Sequence, residues 1–190
     1  MQSACRNGAC IFLDQNKNLA ELLFPHIDKT PEYYEALYPQ RQLPEGARVT
    51  RFAPSPTGYL HIGGLFGALV DVLTARSTGG VAYLRIEDTD KKREIDDGVS
   101  AIINGFDYFG VAFDEGVTGF GTEKGDYGPY TQSHRAEIYQ TVAKSLVEKG
   151  LAYPCFCTAD ELAAIREEQT KGDALIWATS QMGQVPRPQP

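Results

Sequence analysis

The chain lacks the features that mark several whole classes of protein. Its longest apolar runs, such as Ala9 to Leu13, fall far short of the about 20 residues that span a bilayer as a helix, so no membrane association is expected. Met1-Gln2-Ser3-Ala4-Cys5-Arg6 has neither the basic start nor the apolar stretch of a secretory leader. Four cysteines (Cys5, Cys10, Cys155 and Cys157) are too few and too unevenly placed for a secreted disulfide framework. Cys155 and Cys157 stand too close for an unstrained bridge to each other, and a reducing cytoplasm is the expected compartment. Basic residues are scarce, with 18 Lys and Arg against 25 Asp and Glu for a net charge of −7. Without a polybasic surface, tight salt-driven binding of nucleic acid by this chain alone is not expected. There is no internal repeat. What remains is ordinary for a globular protein: 190 residues, 42% hydrophobic and 23% charged. A chain of this size buries roughly two-thirds of its unfolded surface and needs no disulfide or metal to fold.

Patterning suggests an α/β protein. The first 17 residues show no period, and the apolar-rich Leu19 to Phe24 is broken by Pro25. Thr30-Pro31 reads as an N-cap with proline at the first helical position, opening a helix over about 31–38. Pro44 to Gly46 mark a turn. A short strand is expected over 48–53, and a helix over 63–76 with Leu65, Leu69, Val72 and Leu73 as its inner face. A second strand follows at 81–86, then a helix over 94–109 with Ile95, Val99, Ile102, Ile103, Phe106 and Phe109 on one side. Val111 to Phe113 reads as a short strand, and 114–130, with five glycines and a proline, as a long loop. A helix capped by Ser133 and lined by Ile138, Val142 and Leu146 is expected to end at Gly150. Ala152 to Cys157 reads as a strand, and Thr158 with Glu161 as a capping box opening a helix through about Gln169. The βαβα order implies a parallel sheet with right-handed crossovers and a ligand beyond the strands' carboxyl ends.

Two loops sit there. Residues 51–64 join a strand to a helix, so they deliver unpaired N–H groups and the positive end of a helix dipole. Gly63 and Gly64 clear space for a base or phosphate, His61 supplies donors, and Pro54 and Pro56 stiffen the approach. These parts suit a nucleoside triphosphate; a plain turn is the alternative. The second loop, Arg85 to Asp90, places three carboxylates in four residues, suited to a substrate ammonium group or magnesium. Its alternative is simpler, with Asp88, Thr89 or Asp90 capping the next helix. Arg51 and Ser55 complement Glu87, because a guanidinium clamps a carboxylate while Glu87 takes an α-ammonium. A pocket with both signs suits an amino acid.

Residues 51–64 and 85–90 closely resemble the glutamyl-tRNA synthetases, which are class I aminoacyl-tRNA synthetases. His61-Ile62-Gly63-Gly64 stands where that class carries its HIGH signature, and Arg85 to Asp90 matches the subfamily's RIEDTD stretch. Tyr127 to Arg135 resembles its GPY-x-QS-x-R segment, and Tyr153 to Thr158 its next strand and helix start. Pro25 to Ile27 and Pro39 to Gly46 look like the N-terminal extension of some bacterial members. The resemblance implies a Rossmann-like parallel sheet with flanking helices, here the incomplete first half of the catalytic domain. It also implies glutamate activation by ATP with magnesium, then transfer to tRNA. Carried over by position, Arg51, Ala53, Ser55 and Glu87 bind glutamate. Thr57, Gly58, His61, Gly63 and Gly64 hold ATP, with His61 as the catalytic residue steadying charge on the phosphates.

The division expected is an N-terminal extension over 1–47, the first half of the Rossmann domain over 48–150, and the opening of the acceptor-binding insertion with an atypical tail over 151–190. The family's later half, with its KMSKS loop and anticodon domain, has no counterpart here, so a truncated form with doubtful activity and weak tRNA binding is expected. Such a chain would be marginally stable or self-associate. Cys155 and Cys157 resemble half of a zinc site; with no Cys or His after them, zinc is not expected. Two other functions remain open: a non-catalytic fragment binding ATP or glutamate, and the shorter paralogue that glutamylates a modified tRNA nucleoside, queuosine.

Overall fold

A computed structural model describes residues 9–171, so most of the tail expected to be atypical lies outside the described residues. The chain divides between Ala152 and Tyr153 into two compact units. In the first, helices α1 (Ala9–Leu23) and α2 (Pro31–Leu37) precede strand β1 (Val49–Phe52), helix α3 (Ile62–Ser77), strand β2 (Val81–Leu84) and helix α4 (Gly98–Tyr108). Strands β3 (Glu115–Gly119) and β4 (Thr122–Lys124), a 3₁₀ turn (Gln132–Arg135) and helix α5 (Ala136–Glu148) complete it. The second unit holds helix α6 (Ala159–Lys171).

The sheet runs β1-β2-β3-β4, with the first two pairings parallel and the last antiparallel. The expected fold class therefore stands, with an added antiparallel edge. Stepping β1→β2→β3 in one direction, right-handed crossovers put α3 and α4 on the same face of the sheet. Side chains alternate across a strand, and Phe52, Ala82 and Leu84 take that helix-covered face. Phe52 meets Phe106 of α4 edge-on at 5.6 Å, and Ala82 and Leu84 are buried in a core with Val72, Ile102 and Phe106. Each large member contributes about 1.5–3 kcal/mol by leaving water. Val49, Arg51 and Tyr83 take the opposite face, where Arg51 pairs with Tyr83 in register.

Several local expectations are corrected. A helix, α1, occupies residues read as aperiodic; of its residues from 15 onward only Ala20 is buried, so there is little apolar period to read. The inner face of α3 is Ala68, Val72 and Ala75, while Leu69 and Leu73 are exposed, because small side chains let the helix lie close on the sheet. Helix α4 starts at Gly98, later than 94, and Phe109 lies outside it and exposed. Val111 to Phe113 is not a strand: Asp114 accepts the Ala82 N–H through its carboxylate and donates its own N–H to Ala82, and β3 starts one residue later.

The 114–130 segment contains the β3–β4 hairpin, and its glycines serve the pairing. Gly116, at φ +123°, brings β3 so near β2 that a Cβ would lie 2.2 Å from the Leu84 carbonyl oxygen. Helix α5 buries Thr141, Lys144, Ser145 and Val147 and exposes Val142 and Leu146, reversing the expected face. Lys144 is what turns it inward: its ammonium donates to the Ile27 carbonyl at 2.8 Å and pairs with Glu21 of α1 at 2.8 Å. Residues 152–157 form no strand. Thr30 occupies the N-cap of α2 without a side-chain capping bond. In the second unit the capping box forms as expected, with Thr158 Oγ accepting the Glu161 N–H and Glu161 accepting the Thr158 N–H. Among the described residues no helix is long and apolar enough to cross a membrane.

Candidate functional site

Both prolines of the 51–64 loop can accept but not donate, and the neighbouring chain supplies the donors. Arg85 N–H donates to Phe52 O at 3.0 Å, Glu87 N–H to Pro54 O at 2.9 Å and Ile95 N–H to Pro56 O at 2.9 Å. The acidic loop is thereby laid alongside the proline loop, just past the sheet's carboxyl end. Segment 130–133 lines its other flank: Ile86 N–H donates to Tyr130 O at 3.0 Å and Gln132 N–H to Ile86 O at 2.9 Å. Pro56 is buried, and Gly98 lets α4 approach it, since a Cβ there would lie 2.7 Å from Pro56 O.

Asp88 fastens this arrangement. Its carboxylate accepts the Ser133 N–H at 2.9 Å and the Ser133 hydroxyl at 2.5 Å, and pairs with Lys91 at 3.0 Å. Burial pushes the Asp88 carboxyl up, but the Ser133 hydrogen bonds and Lys91 outweigh it and hold it below the ordinary value. Ser133 is therefore a partner of the acidic loop, not the cap expected for α5. Nor does the acidic loop cap α4, whose N-cap is Asp97.

His61 is the N-cap of α3. Its Nδ1 accepts the Gly63 N–H at 3.1 Å and the Gly64 N–H at 3.3 Å. That use of Nδ1 leaves Nε2 to carry the ring hydrogen, an assignment made from the hydrogen-bond pattern. The two N–H groups expected to stand unpaired are thus engaged by the imidazole. Beside it lies a cavity of about 300 Å³, lined by Ser55, Thr57, Gly58, His61 and Gly64 and floored by Phe52 and Ile102.

Arg51, Ala53, Gly63 and Glu87 do not line this cavity. Arg51 is exposed on β1, and its charge lowers the Asp71 carboxyl against a larger upward push from burial. Glu87 pairs with Arg85 at 2.7 Å. Of the residues expected to bind glutamate, only Ser55 lines the cavity, together with Thr57, Gly58, His61 and Gly64 of those expected to hold ATP. The three carboxylates of the acidic loop go to separate partners, Glu87 to Arg85, Asp88 to Ser133 and Lys91, and Asp90 to Arg93. Among the described residues no group of three His, Cys, Asp or Glu is placed to hold a metal ion.

Sequence reasoning missed two features. One is the Asp88–Ser133 fastening, which joins residues 45 apart and leaves no periodic trace. The other is a cluster of Arg41, Glu115 and Tyr130, in which Arg41 grips the Glu115 carboxylate and lies 3.7 Å over the Tyr127 ring. In the second unit Cys155 and Cys157 are both exposed, and the hydrogen bond that the Cys157 thiol donates to Cys155 pushes that thiol up.

Residues 48–185 match the family model for the catalytic domain of tRNA synthetases class I (E and Q). The glutamate–tRNA ligase of Clostridium perfringens (strain 13 / Type A) is 57% identical over 153 residues, covering 80% of this chain and 28% of that relative. The glutamate–tRNA synthetase of Elizabethkingia anophelis superposes with a TM-score of 0.56 at 42% identity, covering 68% of this chain and 26% of that one. The glutamate tRNA ligase of Elizabethkingia meningosepticum, solved in complex with its amino acid, gives 0.56 at 41% identity, covering 68% of this chain and 25% of that one. The chain therefore spans roughly a quarter of the length of the relatives it matches. Over that span the chain belongs to the class I tRNA synthetases (E and Q), as part of their catalytic domain.

Proposed function

We propose that these residues are the ATP- and glutamate-binding part of a glutamate–tRNA ligase working in the cytoplasm. The observation that carries this reading is the 300 Å³ cavity at the N-terminus of α3, lined by Ser55, Thr57, Gly58, His61 and Gly64 beside the acidic loop. In the reaction a carboxylate oxygen of glutamate attacks the α-phosphorus of ATP. A new P–O bond gives glutamyl-adenylate as pyrophosphate leaves with the electron pair of the broken bond. The acyl group then passes to a hydroxyl of the terminal adenosine of tRNA, releasing AMP.

The chain's residues position and neutralise, which is most of what phosphoryl transfer asks of a protein. Gly63 and Gly64 bring N–H groups and the α3 dipole to the phosphates, and His61 Nε2–H donates to an oxygen gaining charge. Arg51 and Ser55 take the glutamate carboxylate and Glu87 its ammonium group. The carboxylates at 87, 88 and 90 have separate partners and do not form a magnesium cradle. Magnesium accordingly enters as the counter-ion of ATP. Residues 1–47 serve as the N-terminal extension and 48–150 as the first half of the Rossmann catalytic domain.

The test is calorimetric titration of the chain with ATP and with glutamate, beside glutamate-dependent ATP–pyrophosphate exchange. His61→Ala is expected to weaken ATP binding about tenfold or more, the scale of one lost charge-assisted contact. Glu87→Gln should weaken glutamate binding while leaving ATP binding unchanged. ATP binding that His61→Ala leaves intact would refute the assignment.

A further inference from the structure

The sheet face turned away from α3 and α4 carries an unusual surface. A face meant to lie under packed helices is rich in Val, Ile and Leu. This one opens into a cavity of about 240 Å³ whose walls include Arg41, Arg85 and Arg135 together with Tyr83, Tyr127 and Tyr130. No Asp or Glu lines it, although the chain as a whole is acidic. It shares no lining residue with the cavity beside His61.

The three arginines are not equally compensated. Arg41 is gripped by Glu115 and Arg85 pairs with Glu87. Arg135 donates to the Pro129 carbonyl at 2.7 Å and has no carboxylate partner among the described residues. The Nε atoms of Arg85 and Arg135 are buried without an acceptor, two of the three such side-chain atoms among the described residues. A half-buried guanidinium without a counter-ion is electrostatically incomplete. A guanidinium fork accepts two oxygens of a carboxylate or phosphate, and tyrosine rings accept a flat apolar body.

We propose that this cavity is a second ligand site, which takes a small aryl anion. A carboxylate or phosphate group sits at Arg135 and Arg85, and the ring lies against Tyr83 and Tyr127. The site is separate from the nucleotide cavity, and the inference does not depend on the proposed ligase reaction.

The test is an NMR titration of the ¹⁵N-labelled 190-residue chain with phenyl phosphate, benzoate and inorganic phosphate. Expected are saturable shifts at Tyr83, Arg85 and Arg135, with at least one aryl anion binding about tenfold more tightly than inorganic phosphate. The aryl anion that binds tighter identifies the ligand as a phosphate or a carboxylate. Arg135→Gln should weaken that binding about tenfold. Val49→Trp, which blocks the exposed rim, should abolish it and decides the matter if Arg135→Gln does not fold. Shifts centred on Gly63 and Gly64, inorganic phosphate binding as tightly as the aryl anions, no saturable binding in the millimolar range, or aryl binding unchanged in a folded variant would each overturn the proposal.

Discussion

Asp88 offers the sharpest test of how the acidic loop is held. It is 6% exposed, and its carboxylate takes two hydrogen bonds from Ser133 and an ion pair from Lys91. Hydrogen bonds to an ionised group contribute about 1.5–3 kcal/mol each. Ser133 is itself exposed, so its donors regain water when the carboxylate is removed, and the low end applies. Lys91 is 61% exposed, and such a pair adds at most about 1 kcal/mol. Asp88→Ala is therefore expected to cost about 3 kcal/mol, and Asp88→Asn, which keeps one acceptor, about half of that.

The pH dependence follows from the direction of the shift. The folded Asp88 carboxyl titrates below its unfolded value. Its contribution is complete above the unfolded value near 4 and fades as pH falls through the lower folded value. Urea unfolding of the wild type and Asp88→Asn should therefore diverge at pH 7 and converge below about pH 4. Amide exchange at Gln132, which donates to Ile86, should quicken in the variant. A gap between the two proteins that is constant from pH 7 to 3, or below about 0.5 kcal/mol at pH 7, would refute the reasoning.

Two further outcomes are expected. Gly116→Ala forces a side chain into φ +123° and against the Leu84 carbonyl, so a loss of about 3 kcal/mol or more in urea unfolding is expected, and a loss below about 1 would show that the β2–β3 approach is looser. His61→Ala removes the cap of α3 at a cost of about 1 kcal/mol, which His61→Asn should largely restore because Asn also caps. If Asn restores stability and ATP affinity together, the imidazole has no role beyond capping.

The elements legible in the sequence are those whose signal is local. β1, β2, α2 and α3 lie close to where prolines, glycines and β-branched runs place them. The capping box at Thr158 forms as its two residues dictate. What misleads is the assumption that the most apolar stripe of a helix is its buried one. In α3 the sheet selects Ala68, Val72 and Ala75 by size, and in α5 the Lys144 bonds to Ile27 and Glu21 outweigh the stripe of Val142 and Leu146. Glycine counting fails at 114–130 for a related reason. A close strand pairing and a turn demand the same residue type as a loop, and only the partner strand tells them apart.

The meeting of the two loops that make up the candidate site is legible in the sequence, their side-chain contacts less so. A parallel β1–β2 pair obliges the chain leaving both strands to run side by side, and Pro54, which can only accept, takes the Glu87 N–H of the acidic loop. Convergence of the two loops thus follows from topology and residue type together. The state of His61 does not. A histidine just before Gly-Gly at a helix start can donate outward to a ligand or turn back to cap the helix, and spacing is identical for both. The structure has it turned back, with Nδ1 on the Gly63 and Gly64 N–H groups. A phosphate that takes those two donors must displace the imidazole from them, so anion binding at α3 and the histidine cap are mutually exclusive. Part of the ATP affinity lost in His61→Ala is therefore offset, because the alanine chain presents the two N–H groups already free. His61→Asn, which keeps a competing cap but lacks the ring donor, is expected to bind ATP more weakly than His61→Ala. The reverse order in a calorimetric titration would show that the cap and the phosphate do not compete.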